Sequence, residues 1–273
     1  MTTRTNRRSY DARQEIIDAI LASRASSRIL KNQSDIKRYL QQYFVNVPYE
    51  DLAGRDAAIM ARIALDHLEF GANRRRGEVL LRIFNANEKE HGYTSNFTFV
   101  EMVNDDMPFL VDSVAAAINQ QGLAVHITVH PIISVNRVNG GKLVAVTKAD
   151  DADAYSESFI RFAISRTADE KVVKALRKAI VKTLADVRVA VRDWGTMRQR
   201  MRETRDLIEN GPKGVDPLLR TESQALLDWM VDEHFTFLGY REYTLSKRGK
   251  QTFLDVVKGS GLGILSGKSG SGK

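Results

Sequence analysis

Apolar residues recur three and four positions apart along residues 11–70, and this spacing predicts a helical N-terminal region. The positions that carry the pattern are Ile16, Ile17, Ile20, Leu21, Ile36, Leu40 and Tyr43. Pro48 interrupts it, because proline disfavours helix at the residue before it. A further helix is predicted over residues 56–70 and a strand over residues 79–85.

The pattern of the middle of the chain alternates between strand and helix. β-Branched and aromatic residues predict a first strand at 96–103, and alternation predicts others at 124–130, 158–165 and 187–194. Pro131 ends the second strand, and the segment VNGGK at 138–142 predicts a hairpin. One helix follows Pro108 and stops at Gly122, and a capping box of Thr167 with Glu170 opens another.

The predicted order over residues 94–196 is therefore strand, helix, strand, strand, helix, strand, which is the βαββαβ ferredoxin-like arrangement of an α+β fold. Two helices are expected to cover one face of an antiparallel sheet. The other face is expected to stay open for pairing with another module.

The C-terminal third predicts a linker and the start of a second module. Residues 197–210 form a charged helix within a helical linker at 197–232, with a second helix at 222–231. Residues 233–265 are rich in strand formers, and Phe235-Thr236-Phe237 repeats Phe97-Thr98-Phe99. The expected domains are thus 1–93, 94–196, 197–232, 233–265 and a flexible tail at 266–273.

Composition narrows the class of protein. Hydrophobic residues make up 43% and charged residues 27% of the 273 positions, as in ordinary globular proteins. The chain has no cysteine, which excludes thiolate chemistry and fits a cytoplasmic location, and no apolar run is long enough to cross a membrane. The net charge of +7 raises nucleic acid as a partner. We do not expect one, because the only tight basic cluster is Arg74-Arg75-Arg76, typical of a solvated turn.

The glycine-rich end of the chain does not predict a nucleotide site. Residues 267–273 match the start of a phosphate-binding loop, but that loop requires a following hydroxyl residue and helix. The glycines at 259, 261 and 263 miss the dinucleotide-binding pattern G-x-G-x-x-G. A flexible linker explains the composition more simply.

The strand-to-helix junction DDMPFLVDS is the most distinctive local pattern. Asp105 and Asp106 are suited to accept the unpaired N–H groups of the following helix, and Pro108 suits its first turn. A helix N-terminus also attracts anions, so a ligand carboxylate is the alternative occupant. Adjacent aspartates do not converge on one atom, and we predict neither catalytic residues nor a metal site; His126 and His130 share a strand face about 13 Å apart.

The segment NDDMPFLVDSVAAAINQQGL at 104–123 resembles the strand–loop–helix signature of ACT domains, small modules that often bind amino acids. Five segments occur in the same order in the large bacterial NAD-specific glutamate dehydrogenases, and the resemblance covers about residues 30–265. These segments are NDDMPFLVDS, HITVHPII, ESFIRFAISR, ADVRVAVRDW and DEHFTFLGYREY.

This resemblance implies an N-terminal regulatory and oligomerisation segment of an enzyme that converts glutamate to 2-oxoglutarate and ammonia. The catalytic domain and NAD would belong to the parent polypeptide, with no cofactor in this chain. The implied partners are other copies of the chain, the parent's catalytic domain and an amino-acid effector. A free-standing amino-acid sensor is the alternative.

The resemblance places the candidate effector site at the junction, with one departure. Many amino-acid-binding ACT domains carry glycine directly after the proline, where this chain has Phe109. A phenyl ring at that point would fill the pocket, which makes a packing role between subunits an equal alternative. The candidate effector-binding residues are Asn104, Asp105, Asp106, Met107, Phe109, Leu110 and His126.

Overall fold

The computed structural model describes residues 14–23, 26–148, 151, 154–211 and 214–267. These residues fall into two compact units. The first takes in the chain up to Met107 together with Ala115–Arg177, and the second takes in Pro108–Val114 with the chain from Lys178 onward. The predicted glycine-rich tail lies outside the described residues from position 268 onward.

The first unit begins with helices, as the apolar spacing predicts. Residues 14–22 form α1, followed by α2 (Gln33–Phe44), α3 (Tyr49–Leu52) and α4 (Ala57–Phe70). The side chain of Asn32 accepts from Ser34 N at the start of α2, and Asp56 accepts from Ile59 N at the start of α4. Pro48 stands directly before α3, so the predicted break is confirmed.

Six strands form one antiparallel sheet, with the short helix α5 (Glu88–His91) in the connection between the first two. The order of the main path is β1-β2-β6-β4-β5, and β3 also pairs with β6. The strands are β1 (Leu80–Asn85), β2 (Phe97–Asp105), β3 (Val125–Val129), β4 (Ile132–Val138), β5 (Lys142–Val146) and β6 (Tyr155–Ser165).

The hairpin between β4 and β5 is confirmed at the predicted position. Its turn is a short 3-10 segment, Asn139–Gly141. Gly141 has φ 91°, and a Cβ there would lie 2.3 Å from the carbonyl oxygen of Arg74. Only glycine therefore permits this close approach of the two backbones.

The α+β class is correct, but the last predicted strand is wrong. Residues 187–194 belong to α7 (Glu170–Glu209), a continuous helix of 40 residues that also contains the expected boundary between 196 and 197. The sheet position beside β2 is filled instead by β1, which precedes β2 in sequence. The helix α6 (Leu110–Gln120) connects β2 to β3, and β6 lies between those two strands.

The start of α7 also differs from the predicted capping box. The carboxylate of Asp169 accepts from Lys171 N at 2.8 Å, and Thr167 Oγ1 accepts from Asp169 N at 3.3 Å. Asp169 therefore fills the capping position that the sequence pattern assigned to Thr167.

The prediction of an open sheet face is wrong. Along β6, Ile160 and Phe162 point to one face and Phe159 and Ala163 to the other, and none is more than 3% exposed. The N-terminal helices cover the second of these faces. The ring of Tyr39 on α2 lies 6.1 Å from the ring of Phe159, centroid to centroid.

The second unit contains the later part of α7, then α8 (Pro217–Trp229), a π-helical turn at Met230–His234 and four short strands. Phe235-Thr236-Phe237 is not a strand, so the predicted repeat of β2 is not realised there. The strands are β7 (Gly239–Tyr240), β8 (Tyr243–Arg248), β9 (Gln251–Val256) and β10 (Leu262–Gly263), with β8 paired to β9 and β7 to β10.

Candidate functional site

The predicted effector residues lie where β2 ends and α6 begins. Asn104 and Asp105 are the last residues of β2, and the side chain of Asn104 is buried. Asp106 is exposed and Met107 is partly buried. Leu110, the first residue of α6, is 1% exposed.

Asp105 binds the loop before β1. Its Oδ1 accepts from Arg74 Nη2 at 2.8 Å, and its Oδ2 accepts from the backbone N–H of Gly77 at 3.0 Å. These contacts fix the end of β2 to residues 74–77. A carboxylate held by a guanidinium and a backbone N–H is rigidly oriented.

Beneath Asp105 lies a buried charge cluster formed by Arg74, Arg137 and Glu157. Glu157 Oε1 accepts from Arg74 Nη2 at 2.8 Å and from Arg137 Nε at 2.8 Å. The other oxygen, Oε2, accepts from Arg137 Nη2 at 2.7 Å. Arg74 and Glu157 are both fully buried. Arg74 is therefore not part of a solvated turn, whereas Arg75 and Arg76 beside it are exposed.

Asp106 takes part in a hydrogen-bonded chain with two residues that the sequence did not assign to the site. Its Oδ1 accepts from Ser158 Oγ at 2.6 Å, and His130 Nε2 lies 3.0 Å from the same hydroxyl. Since the serine proton goes to Asp106, the histidine donates to Ser158. Burial lowers the pKa of His130, and the nearby charge of Asp106 partly opposes that shift.

The hydrogen-bonded group of Asp106, Ser158 and His130 is not a nucleophilic triad. In a serine hydrolase the histidine stands between the serine and the aspartate, but here the serine stands between the other two. Ser158 is also fully buried, so no substrate reaches its hydroxyl. The arrangement joins the turn to β6 and β3 and has no role in acyl transfer.

The two aspartates, which were expected to cap α6, make contacts with two other segments. Asp105 ties the turn to residues 74–77, and Asp106 ties it to Ser158 on β6. The first hydrogen bond of α6 runs from Ser113 N to the carbonyl of Phe109. Both carboxylates thus anchor the turn, Asp105 to the loop before β1 and Asp106 to β6.

Phe109 has a backbone conformation that favours glycine. Its φ is 70°, in the left-handed region, where a side chain with Cβ costs about 1–2 kcal/mol. The phenyl side chain is 40% exposed. The residue that departs from the family pattern therefore keeps the glycine-like backbone and adds a ring, a combination of strain and exposure that is common at binding sites.

His126 does not lie with the rest of the predicted site. Its Nε2 is 3.3 Å from Ser165 Oγ, and its ring is 5.1 Å from that of Phe97. Ser165 and Ser158 are seven residues apart on β6, about 23 Å along a strand. His130 is the histidine that the fold brings to the turn.

Arg74, Arg137, Glu157 and Ser158 were not predicted as site residues. One signal was present, because the sequence SESFIRFAIS places Glu157 and Arg161 among apolar residues of a strand with two buried faces. Charged residues in such a strand require buried partners. The partners themselves are distant in sequence, and only the folded sheet identifies them.

Two other kinds of site, a membrane-spanning helix and a metal centre, are absent from the described residues. None of the helices there is long and apolar enough to span a membrane. The same part of the chain contains no group of three or more His, Asp or Glu side chains arranged to hold a metal ion.

Comparison with known proteins agrees with this architecture. The profile of the family "Glutamate dehydrogenase, ACT1 domain" matches residues 39–180, just over half of the chain. The sequence is 30% identical to the NAD-specific glutamate dehydrogenase of Halomonas elongata over 90% of this chain and 15% of that protein. It is also 30% identical to the enzyme of the same name from Pseudomonas aeruginosa, over 76% of this chain and 13% of that protein.

A third relative, the NAD-specific glutamate dehydrogenase of Mycobacterium tuberculosis, is 25% identical over 75% of this chain and 12% of its own length. The chain therefore spans less than a sixth of each of these relatives. The matched region contains α4, the whole sheet and the first turns of α7. On this basis the chain belongs to the N-terminal region of the large NAD-specific glutamate dehydrogenase family and contains its ACT1 domain.

Proposed function

We propose that this chain is the regulatory and oligomerisation segment of an NAD-dependent glutamate dehydrogenase. The parent enzyme would oxidise L-glutamate to 2-oxoglutarate and ammonia, with catalysis in a part of the polypeptide that this chain does not contain. The observation that carries the proposal is the ACT1 match over residues 39–180, together with the anchored turn between β2 and α6.

The turn has the properties of an effector site that is coupled to the sheet. Asp106 is exposed and keeps a fixed orientation through Ser158 Oγ at 2.6 Å. An amino-acid ammonium group would compete for this carboxylate or share it. Binding would then act on Ser158 in β6 and on His130 at the end of β3, which gives a physical route from ligand to sheet.

The strand topology of the described residues is not that of a dinucleotide-binding fold. A dinucleotide fold needs parallel strands with a glycine-rich turn leading into a helix. The strand pairs in the described part of the chain are all antiparallel. Gly263 N–H donates to the carboxylate of Asp193 at 2.8 Å, so an anionic side chain already holds that donor. The proposal accordingly assigns NAD to another part of the parent enzyme.

A free-standing amino-acid sensor is the second candidate function. The exposed Asp106 and the glycine-like backbone of Phe109 favour it equally, since both features serve a ligand whether or not a catalytic domain is attached. Activity of the parent enzyme separates the two functions. Only the role as a regulatory segment of the dehydrogenase predicts that changes at the turn alter glutamate oxidation.

The test is a calorimetric titration of this chain with each of the twenty amino acids, with light scattering on the same sample. We expect one amino acid to bind saturably and the Asp106→Asn variant to lose that binding. Asp112→Asn is the control, because Asp112 lies in the first turn of α6 outside this contact network. Flat titrations with every amino acid would contradict an effector role.

The same substitutions in the full parent enzyme test the regulatory part of the proposal. The expected result is that Asp106→Asn removes the dependence of glutamate oxidation on the bound amino acid and leaves the basal rate unchanged. An effector response that survives Asp106→Asn would overturn the assignment of the turn. A monomer at all concentrations would overturn the oligomerisation role.

A further inference from the structure

A cavity lies between the N-terminal helices and the sheet face that they cover, away from the turn at Asp106. Its volume is about 100 Å³. The floor is formed by Phe97 and Phe99 of β2 and Ile127 of β3, and the roof by Phe44, Met60 and Ile63. The apolar side chains of the floor and the roof favour an apolar group.

One wall of this cavity carries a buried cation. Arg161 is 5% exposed, and its guanidinium lies 3.9 Å above the ring of Phe99. It donates to Glu101 and, at 2.8 Å, to the hydroxyl of Tyr93. A guanidinium has five N–H donors, and those two are its hydrogen-bond partners in the described part of the chain. Arg161 can therefore donate to a ligand oxygen in addition to Glu101 and Tyr93.

Glu101 keeps a negative charge beside Arg161. Burial by itself would raise the pKa of Glu101, but the positive charges of His67 when protonated, Arg161 and Arg82 hold that pKa at about 2. Glu101 is therefore ionised throughout the physiological range. Arg82 also contacts Asp66 at 2.5 Å, so the buried cluster of Arg82, Arg161, Glu101 and Asp66 has no net charge.

The rim of the cavity adds one charge of each sign. Asp51 and Arg55 both line it, and Arg55 is exposed. Arg55 Nε donates to the backbone carbonyl of Asp51 at 2.7 Å, which leaves the Asp51 carboxylate outside that contact. The ligand group that lies between Arg161 at the wall and Arg55 at the rim would be an anion.

We propose that this cavity binds a small monocarboxylate with a branched aliphatic tail. A cavity of 150 Å³ holds benzene, so about 100 Å³ accommodates a tail of about four carbon atoms, such as an isobutyl group. The tail lies between Phe97, Phe99 and Met60. The carboxylate accepts from Arg161 and Arg55.

Two classes of ligand have a carboxylate and a branched aliphatic tail, namely apolar amino acids and carboxylic acids that lack the amino group. Asp51 distinguishes them, because its carboxylate lies at the same rim and would pair with an α-ammonium group. Neither class of ligand depends on the turn at Asp106, so this inference stands apart from the proposed function.

The probes are 4-methylpentanoate, L-leucine and 3-methylbutylamine, each titrated calorimetrically into this chain. We expect 4-methylpentanoate or L-leucine to bind saturably and the amine, which lacks the carboxylate, not to bind. Arg55→Gln is expected to weaken binding about fivefold, as for one partly exposed charged contact. Arg75→Gln is the matched control, since Arg75 is an exposed arginine away from the cavity.

Two further variants locate the ligand. Ala163→Leu extends a side chain into the cavity from β6 and is expected to abolish binding, with circular dichroism to verify folding. Asp51→Asn is expected to weaken L-leucine alone if the source is an amino acid, and to change neither ligand if it is a simple carboxylic acid. Absence of binding by both carboxylates, equal binding of the amine, or binding unaffected by Arg55→Gln would overturn the proposal.

Binding at this cavity is separable from binding at the turn. Asp106→Asn is expected to leave the affinity for 4-methylpentanoate unchanged. Loss of that affinity in Asp106→Asn would mean that the ligand depends on the turn and not on the cavity, which would overturn the cavity assignment.

Discussion

Arg74 Nη2 and Glu157 Oε1 are 2.8 Å apart, and neither side chain is exposed to solvent. Their positions in sequence differ by 83 residues. Arg137 Nη2 contacts the other oxygen of Glu157 at 2.7 Å. Glu157 thus pairs with both buried arginines, with Asp105 as a second carboxylate on Arg74, and it connects the loop before β1 to β4 and β6.

We expect Glu157→Gln to destabilise the protein by about 3–5 kcal/mol, since it leaves the buried Arg137 without the carboxylate of Glu157 and Arg74 with Asp105 alone. The free energy of unfolding in urea measures this effect. Glu50→Gln is the control, because Glu50 is exposed in α3, and it should change stability by less than about 0.5 kcal/mol. Equal values for the two variants would show that the buried cluster contributes no specific stability.

The stability of the protein should decrease between about pH 6.5 and pH 4 because of His67. Burial lowers the pKa of His67 from 6.5 to about 4, and the neutral ring lies 3.1 Å from Tyr43 OH and 3.2 Å from the carbonyl of Met102. The unfolded chain binds a proton in this window while the folded protein does not. The loss is of the order of 3 kcal/mol, measurable by urea unfolding at several pH values.

His67→Gln tests this assignment, because it should reduce the pH dependence between pH 6.5 and 4.5 to the part that the lowered pKa of His130 contributes. Glu101 does not interfere in that window. Its pKa is lowered from 4.5 to about 2, so its contribution is present above pH 4.5 and is lost only as the pH falls further. His126→Gln, at an exposed position, should retain the slope of the unsubstituted protein.

Phe109→Gly should be more stable than Phe109→Ala. Both changes remove the exposed ring, but only glycine relieves the cost of φ at 70°. The expected difference in the free energy of unfolding is about 1 kcal/mol in favour of glycine. Alanine as stable as glycine would show that the turn relaxes to another conformation.

The β8–β9 hairpin should cause self-association through its apolar face. Tyr243, Leu245, Leu254 and Val256 lie on one face of this hairpin and are between 51% and 67% exposed. Exposed apolar patches of this kind bind hydrophobic dyes and other copies of a protein. Leu245→Lys should reduce dye fluorescence and shift the sedimentation profile towards a smaller species.

Ser246→Lys is the matched control for that substitution. Ser246 follows Leu245 on the same strand, so its side chain points to the opposite face of the hairpin. It should leave both measurements unchanged. An equal effect of the two lysines would mean that added charge, not removal of the apolar face, reduces association.

The candidate effector turn shows what a local pattern can predict. The sequence places Asn104, Asp105 and Asp106 between a strand and a helix, and the structure has them there. It does not reveal that Asp105 binds Arg74 or that Asp106 binds Ser158, since these partners come from other segments. The sequence also placed His126 in the effector site. Strand alternation predicts the face on which a side chain lies, but not its position along the neighbouring strand.

The segment at 187–194 shows why local alternation can mislead. Its valines and arginines alternate as in a strand, but Leu176, Ile180, Leu184, Val187, Ala190 and Met197 continue one helical face, and all are buried. No glycine or proline interrupts residues 170–194, so nothing local ends the helix. Burial of that continuous face decided in favour of α7 over a strand.

The sequence by itself determined the N-terminal helices, the strands β2, β3 and β6, the glycine turn of the β4–β5 hairpin and the family. These follow from periodicity, turn chemistry and motifs, which act within a few residues. Only the tertiary structure decided that β1 fills the sheet edge, that α2 and α4 cover the expected open face, and that Glu157 pairs with Arg74 and Arg137. Those outcomes depend on burying apolar faces and charges together, which involves segments far apart in sequence.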